Sequence, residues 1–281
     1  MAGFADEEGN RRLQHSDASG LYLLFEAGKR PSVEAVHAFA AAWEKVFVSH
    51  DPAQNDSPLG NPPDLANENK AQNAEVLPLD KQWVELLRDG LTFDLQGLAP
   101  GPTCSAPVPL HHFDWPGTRD TDALEAMRLV VGPHLQGADN SAPVLRTLIA
   151  LARDLVLFFE DIAAVFWPPS ASLIGRRFFE STVTAWLEGG PFPALGLTAF
   201  RLADDGALES VGLDFWIGQE LSIDPVLAAE KVAATRLGVR IINHLVMLGG
   251  LFQEERIIAP DGARLVLRPI EDVTFIRVQR E

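Results

Sequence analysis

Apolar and polar positions along this chain follow two periods, and the changes from one to the other outline the elements. The run GLYLLFEA, residues 20–27, is short, apolar and stopped by Gly28 and Pro31, as a strand would be. Ser32 then precedes Val33, Val36, Ala40, Trp43 and Phe47 at helical spacing, which predicts a capped helix. Asp80 is read as the cap of a short helix carrying Trp83, Leu86 and Leu87 and stopped by Gly90, with LTFDL following as a strand. AMRLVVGPHL, residues 126–135, predicts a strand ending near Gly132. Ser141 and Pro143 open a helix with Leu145, Leu148, Ala152, Leu155 and Phe159 on one face. IAAVFW is a buried strand ended by Pro168 and Pro169. Ser170 or Ser172 then caps a helix over residues 173–187. Two alternating runs joined at Asp205 and Gly206 predict a hairpin whose second strand continues through VGLDFWIG. A long helix over residues 225–248, with Ala228, Val232, Val239, Ile242 and Val246 inward, precedes a hairpin at Pro260–Gly262 and a closing strand VTFIRVQ.

These elements predict an α+β fold: a mixed, mostly antiparallel sheet with packed helices, for which two ferredoxin-like halves are one arrangement. Residues 1–19 read as a mobile N-terminus, 20–117 as an N-terminal half and 118–281 as a C-terminal half. Residues 51–74, rich in Pro, Asn, Gln and Asp, read as an exposed excursion, and 97–117 as a proline-rich crossing.

Charge narrows the partners. Thirty-nine acidic against 23 basic side chains leave a net charge of −16, which repels nucleic acid and anionic membrane surfaces. The longest apolar segment, 144–167, is interrupted by Arg146, Arg153, Asp154, Glu160 and Asp161, so no membrane span is expected. One cysteine, Cys104, allows no internal disulfide and suits a reducing cytoplasm.

No complete catalytic motif is present, and whether the chain is an enzyme stays open. His111, His112 and Asp114 sit in a proline-rich loop without metal-ligand spacing, and neither metal nor cofactor is expected. His37 and His244 border apolar helix faces and read as structural. Ser170, Ser172 and Arg176 or Arg177 surround an expected helix N-terminus, the arrangement that holds an anion. With VGLDFWIG as a strand, Asp214 and Trp216 share one face, and Trp167, Ser170, Ser172, Arg176, Asp214, Trp216 and Glu220 become candidate ligand-binding residues.

The stretch AAVFWPPSASL, followed by a helix, a hairpin bearing GLDFWIGQEL, a long helix and terminal strands, resembles an uncharacterised bacterial family, domain of unknown function 4261, over residues 126–281. That family has no assigned activity, so the resemblance implies a fold and a bacterial source. Two functions remain: a non-enzymatic cytoplasmic accessory protein that binds another protein, or a small-molecule or anion-binding enzyme with a pocket near the Trp167–Arg177 turn.

Overall fold

The computed structural model describes residues 20–52, 82–117, 120–135, 137–138, 140–259, 261–270 and 273–281. The segment 1–19, most of the 51–74 excursion, the cap at Asp80, the boundary at 118 and Pro260 of the last turn lie outside the described residues. Fourteen strands and four helices of ten residues or more are described: β1 (Gly20–Glu26), α1 (Val33–Ala42), β2 (Val46–His50), β3 (Trp83–Arg88), β4 (Leu91–Gln96), β5 (His111–Phe113), β6 (Leu124–Val131), α2 (Ala142–Phe158), β7 (Ile162–Trp167), β8 (Ser172–Gly175), α3 (Arg176–Leu187), β9 (Ala199–Leu202), β10 (Leu208–Val211), β11 (Glu220–Ile223), α4 (Lys231–Leu248), β12 (Glu255–Ile258), β13 (Arg264–Ile270) and β14 (Phe275–Arg280). The protein is α+β, with two mostly antiparallel sheets. The first has strand order β2-β3-β4-β6-β1-β7-β8-β5 and the second β12-β13-β14-β11-β10-β9; among the described strand pairs β5–β8 and β11–β14 run parallel and the rest antiparallel. Strands from both sides of residue 117 share the first sheet.

Strand β1 shows why its sequence is apolar throughout. Leu21, Leu23 and Phe25 enter the main core beneath the helices, while Tyr22 and Leu24 enter a second cluster with Ala126, Ala164, Phe166 and Leu173 on the other face. Within this sheet β1, α1, β4, β6, α2 and β7 have the order and antiparallel sense of one ferredoxin-like unit. The second sheet has a different order, and α4 packs on its inner face through Ala234, Ile241, Ile242 and Leu245.

Four expectations are corrected. Trp83–Arg88 is a strand, because Asp89 and Gly90, both at positive φ, turn it into a hairpin with β4 while Val84 and Leu86 point inward. No helix begins at Ser170 or Ser172: a turn at Pro168–Ala171 sends the chain back as β8, and α3 starts only at Arg176. All four residues of β8 are buried, so it carries no amphipathic signal. VGLDFWIG is not a continuous strand, since Gly212 at φ +82° ends β10 and Asp214–Ile217 forms one helical turn. The long helix is likewise divided: Asp224 caps the short turn Pro225–Ala228, and Glu230 accepts from the amides of Val232 and Ala233 to start α4. That break turns Val232 outward.

Candidate functional site

The structure sorts the candidate residues into two groups. Trp167, Ser170, Ser172, Asp214, Trp216 and Glu220 gather around Gly212, whereas Arg176 lies at the opposite end of β8. Trp167 closes β7, is fully buried, and donates its indole N–H to the Leu197 carbonyl at 3.0 Å. The Trp216 indole reaches the same carbonyl at 3.4 Å, and the two rings stand 5.9 Å apart. Phe215, Phe192 and Trp186 extend this aromatic group. Instead of capping a helix, Ser170 and Ser172 clasp the turn, with hydroxyls 2.7 Å apart and the Ser170 hydroxyl 2.9 Å from the Gly196 carbonyl. Both serines are fully buried.

Gly212 joins this turn to the carboxylates. A Cβ there would lie 2.7 Å from the Pro169 carbonyl oxygen, so only glycine admits the close approach. Glu220 reaches back from β11: one oxygen accepts from the amides of Gly212 at 2.7 Å and Leu213 at 3.1 Å, and the other accepts the Ser210 hydroxyl. Burial raises the Glu220 pKa to about 7; the Ser210 hydrogen bond opposes that rise, and the neighbouring Asp214 carboxylate adds to it. The result is a carboxyl group in a nest of donors that changes charge near neutrality. Its oxygens are already engaged by the chain's own donors.

Arg176 donates to the Phe159 carbonyl at 2.6 Å and fixes the corner between α2 and β7. Arg177 and Asp114 line two adjoining clefts of about 370 and about 400 Å³. Glu26, Glu160 and Asp161 also face the first, so the helix N-terminus and its arginines stand among acids. His111 and His112 lie on β5 beside β8; burial, and secondarily the charge of His112, lower the His111 pKa. Among the described residues no three His, Cys, Asp or Glu side chains gather as metal ligands. His37 pairs with Asp51 at 2.8 Å and His244 with Glu255 at 3.0 Å.

Sequence reasoning missed three features. Asp154 is buried on α2, paired with Arg88 of β3 and with Arg153 Nε at 2.8 Å; a charged residue three positions after Leu151 and four before Phe158, within an apolar helix face, was the available signal. Buried Gln219 donates its amide to the Leu251 and Val273 carbonyls, at 2.7 and 2.9 Å, and accepts from the Leu251 amide at 2.7 Å. Next to this staple the end of α4 turns apolar side chains outward: Met247 is 86% exposed, Leu248 56% and Phe252 70%. No helix among the described residues is long and apolar enough to cross a membrane. No protein-family model, curated protein or solved structure matches this chain.

Proposed function

We propose that the protein is a non-enzymatic accessory protein of the bacterial cytoplasm, related to the family named above, that acts by docking a partner protein. The observation that carries this reading is the apolar knob at the end of α4. Scattered surface leucines need no explanation, but Met247, Leu248 and Phe252 are large, mostly exposed and sequence neighbours around the Gly249–Gly250 stop. Gln219 ties the Leu251 loop to the Val273 loop, so the knob is presented on fixed backbone and little ordering entropy is lost on contact. Its chemistry fits an apolar groove on a partner. By contrast, the polar groups around Gly212 are occupied by internal hydrogen bonds.

A second reading, a ligand-binding cleft at Arg177, is favoured by the start of α3, whose N-cap Gly175 offers no side-chain cap, beside two adjoining clefts. One comparison separates the two. Proteins retained from a bacterial lysate by the wild type are compared with those retained by Met247→Glu/Phe252→Glu, alongside a thermal-shift screen against phosphate, nucleotides and carboxylic acids. Loss of specific partners in the variant, with unchanged circular dichroism, is expected. Identical retained sets, or a raised unfolding midpoint abolished by Arg177→Ala, would overturn the docking reading.

A further inference from the structure

The outer face of the second sheet carries a charge pattern opposite in sense to the rest of the molecule. Strand register places Arg201 opposite Glu209, Glu209 opposite Ser222, Ser222 opposite Arg277, and Arg277 opposite Arg268. Directly opposed residues share a face, so these side chains form one lateral row across β9, β10, β11, β14 and β13. Glu254, just before β12, completes the row by binding Arg268 through two guanidinium nitrogens at 2.8 and 3.0 Å. The intervening residues Leu221, Ile223, Leu267, Ile276 and Val278 are in the core, which puts the row on the other face, where Arg201, Arg268 and Arg277 are exposed and Ser222 is buried among its neighbours. Arg256 and Arg264 flank it, both near Glu281. The face thus holds five arginines against three glutamates, on a chain whose net charge is −16.

The centre of the row is unbalanced. Arg268 and Arg277 stand opposite one another on antiparallel strands, a like-charge placement that weakens a sheet. Arg201 is matched by Glu209 and Arg268 by Glu254, yet among the described residues Arg277 forms no ion pair. Glu220, two residues from Ser222, is turned into the Gly212 and Leu213 amides and does not compensate it. Glu254 already holds Nε and Nη2 of Arg268, so a carboxylate arriving from outside would meet the Arg277 guanidinium and the remaining Nη1 side of Arg268, in charge-assisted hydrogen bonds of the strong class.

We propose that this face binds an acidic, extended segment of a partner protein, laid across the strands with one carboxylate between Arg268 and Arg277. A nucleic acid fits less well: its uniform phosphate charge would meet Glu209, Glu254 and Glu281 between the arginines, whereas a peptide can set a few carboxylates opposite the arginines alone. A two-fold contact centred on the row would set the central arginines against themselves. The proposal concerns a surface separate from the α4 knob and stands or falls apart from it.

The test is fluorescence anisotropy of a labelled Asp/Glu-rich peptide with wild type, Arg268→Glu/Arg277→Glu, and Arg236→Glu/Arg240→Glu on the exposed side of α4. The control makes the same charge change at exposed arginines away from the sheet face. Expected is saturable binding by wild type, weakened about tenfold or more by the sheet variant, equivalent to roughly 1.4 kcal/mol. The α4 variant should retain it, and a duplex DNA of similar charge should compete poorly. Equal weakening by both variants, no binding by wild type, or stronger competition by DNA would each overturn the proposal. So would self-association in sedimentation that only the sheet variant abolishes. Circular dichroism, with Arg268→Ala/Arg277→Ala as a gentler variant, separates lost binding from lost folding.

Discussion

Replacing Glu220 by Gln should change how stability depends on pH, not only its level. In the folded protein burial, reinforced by Asp214, holds the Glu220 pKa at about 7, against an ordinary value of 4.5. That difference corresponds to roughly 3 kcal/mol. Because the folded pKa is raised, the native state keeps a proton that the unfolded chain has released between those two values. The associated stability is present in full below about pH 4.5 and is lost as pH rises through about 7. Glutamine keeps an oxygen for the Gly212 and Leu213 amides but cannot ionise. Urea unfolding followed by tryptophan fluorescence, from about pH 4.5 to about pH 8, gives both stabilities. The variant should gain on the wild type by about 3 kcal/mol across that range. Asp94, whose pKa burial also raises, to about 6, is common to both proteins and cancels in the difference. A gap that stays constant across the range, within about 0.5 kcal/mol, would refute the reasoning.

Three further outcomes follow from the same interior. Asp154→Ala leaves the buried Arg88 with only the exposed Asp89 carboxylate, 3.6 Å away, and should cost about 3–5 kcal/mol in urea unfolding, much of it recovered in Arg88→Met/Asp154→Leu; a single-variant cost under about 1 kcal/mol would count against a buried pair. Gly212→Ala combines a positive φ with a Cβ 2.7 Å from the Pro169 oxygen, and thermal melts should show a loss of about 1–3 kcal/mol; an unchanged midpoint would mean the two turns are not in contact. Gln219→Leu removes hydrogen bonds to Leu251 and Val273, and hydrogen exchange at the Leu251 amide should quicken markedly while amides of β1 stay protected; unchanged exchange at Leu251 would argue against the staple.

Elements whose period was long and clean could be read directly. Ser32 before α1, Ser141 and Pro143 before α2, and the Asp205–Gly206 hairpin stand where propensity and tertiary contacts agree. Short elements misled for identifiable reasons. Trp83, Leu86 and Leu87 fit a helical spacing as well as a strand, and only pairing with β4 decides between them. The four residues of β8 are covered on both faces and have no polar side to mark them. Trp167, Ser170, Ser172, Arg176, Asp214, Trp216 and Glu220 stand out in the sequence as candidates, yet Arg176 lies apart from the others, and the means by which those gather, a glycine pressed against a proline carbonyl, depends on a contact 43 residues apart in the chain. The arginine row was beyond reach, since its members come from five separate segments and share a face only through register.

The position of β14 has a consequence for how the chain is made. Strand β14 follows the other five strands of the second sheet in the sequence yet lies in its interior, where, among the described residues, it joins the β12–β13 hairpin to the β9–β10–β11 strands. During synthesis both parts must therefore wait, each with an open edge of backbone donors and acceptors. Such edges recruit foreign strands. Residues 275–280 thus seal the sheet, and a chain that lacked them would carry two sticky borders in place of one closed sheet.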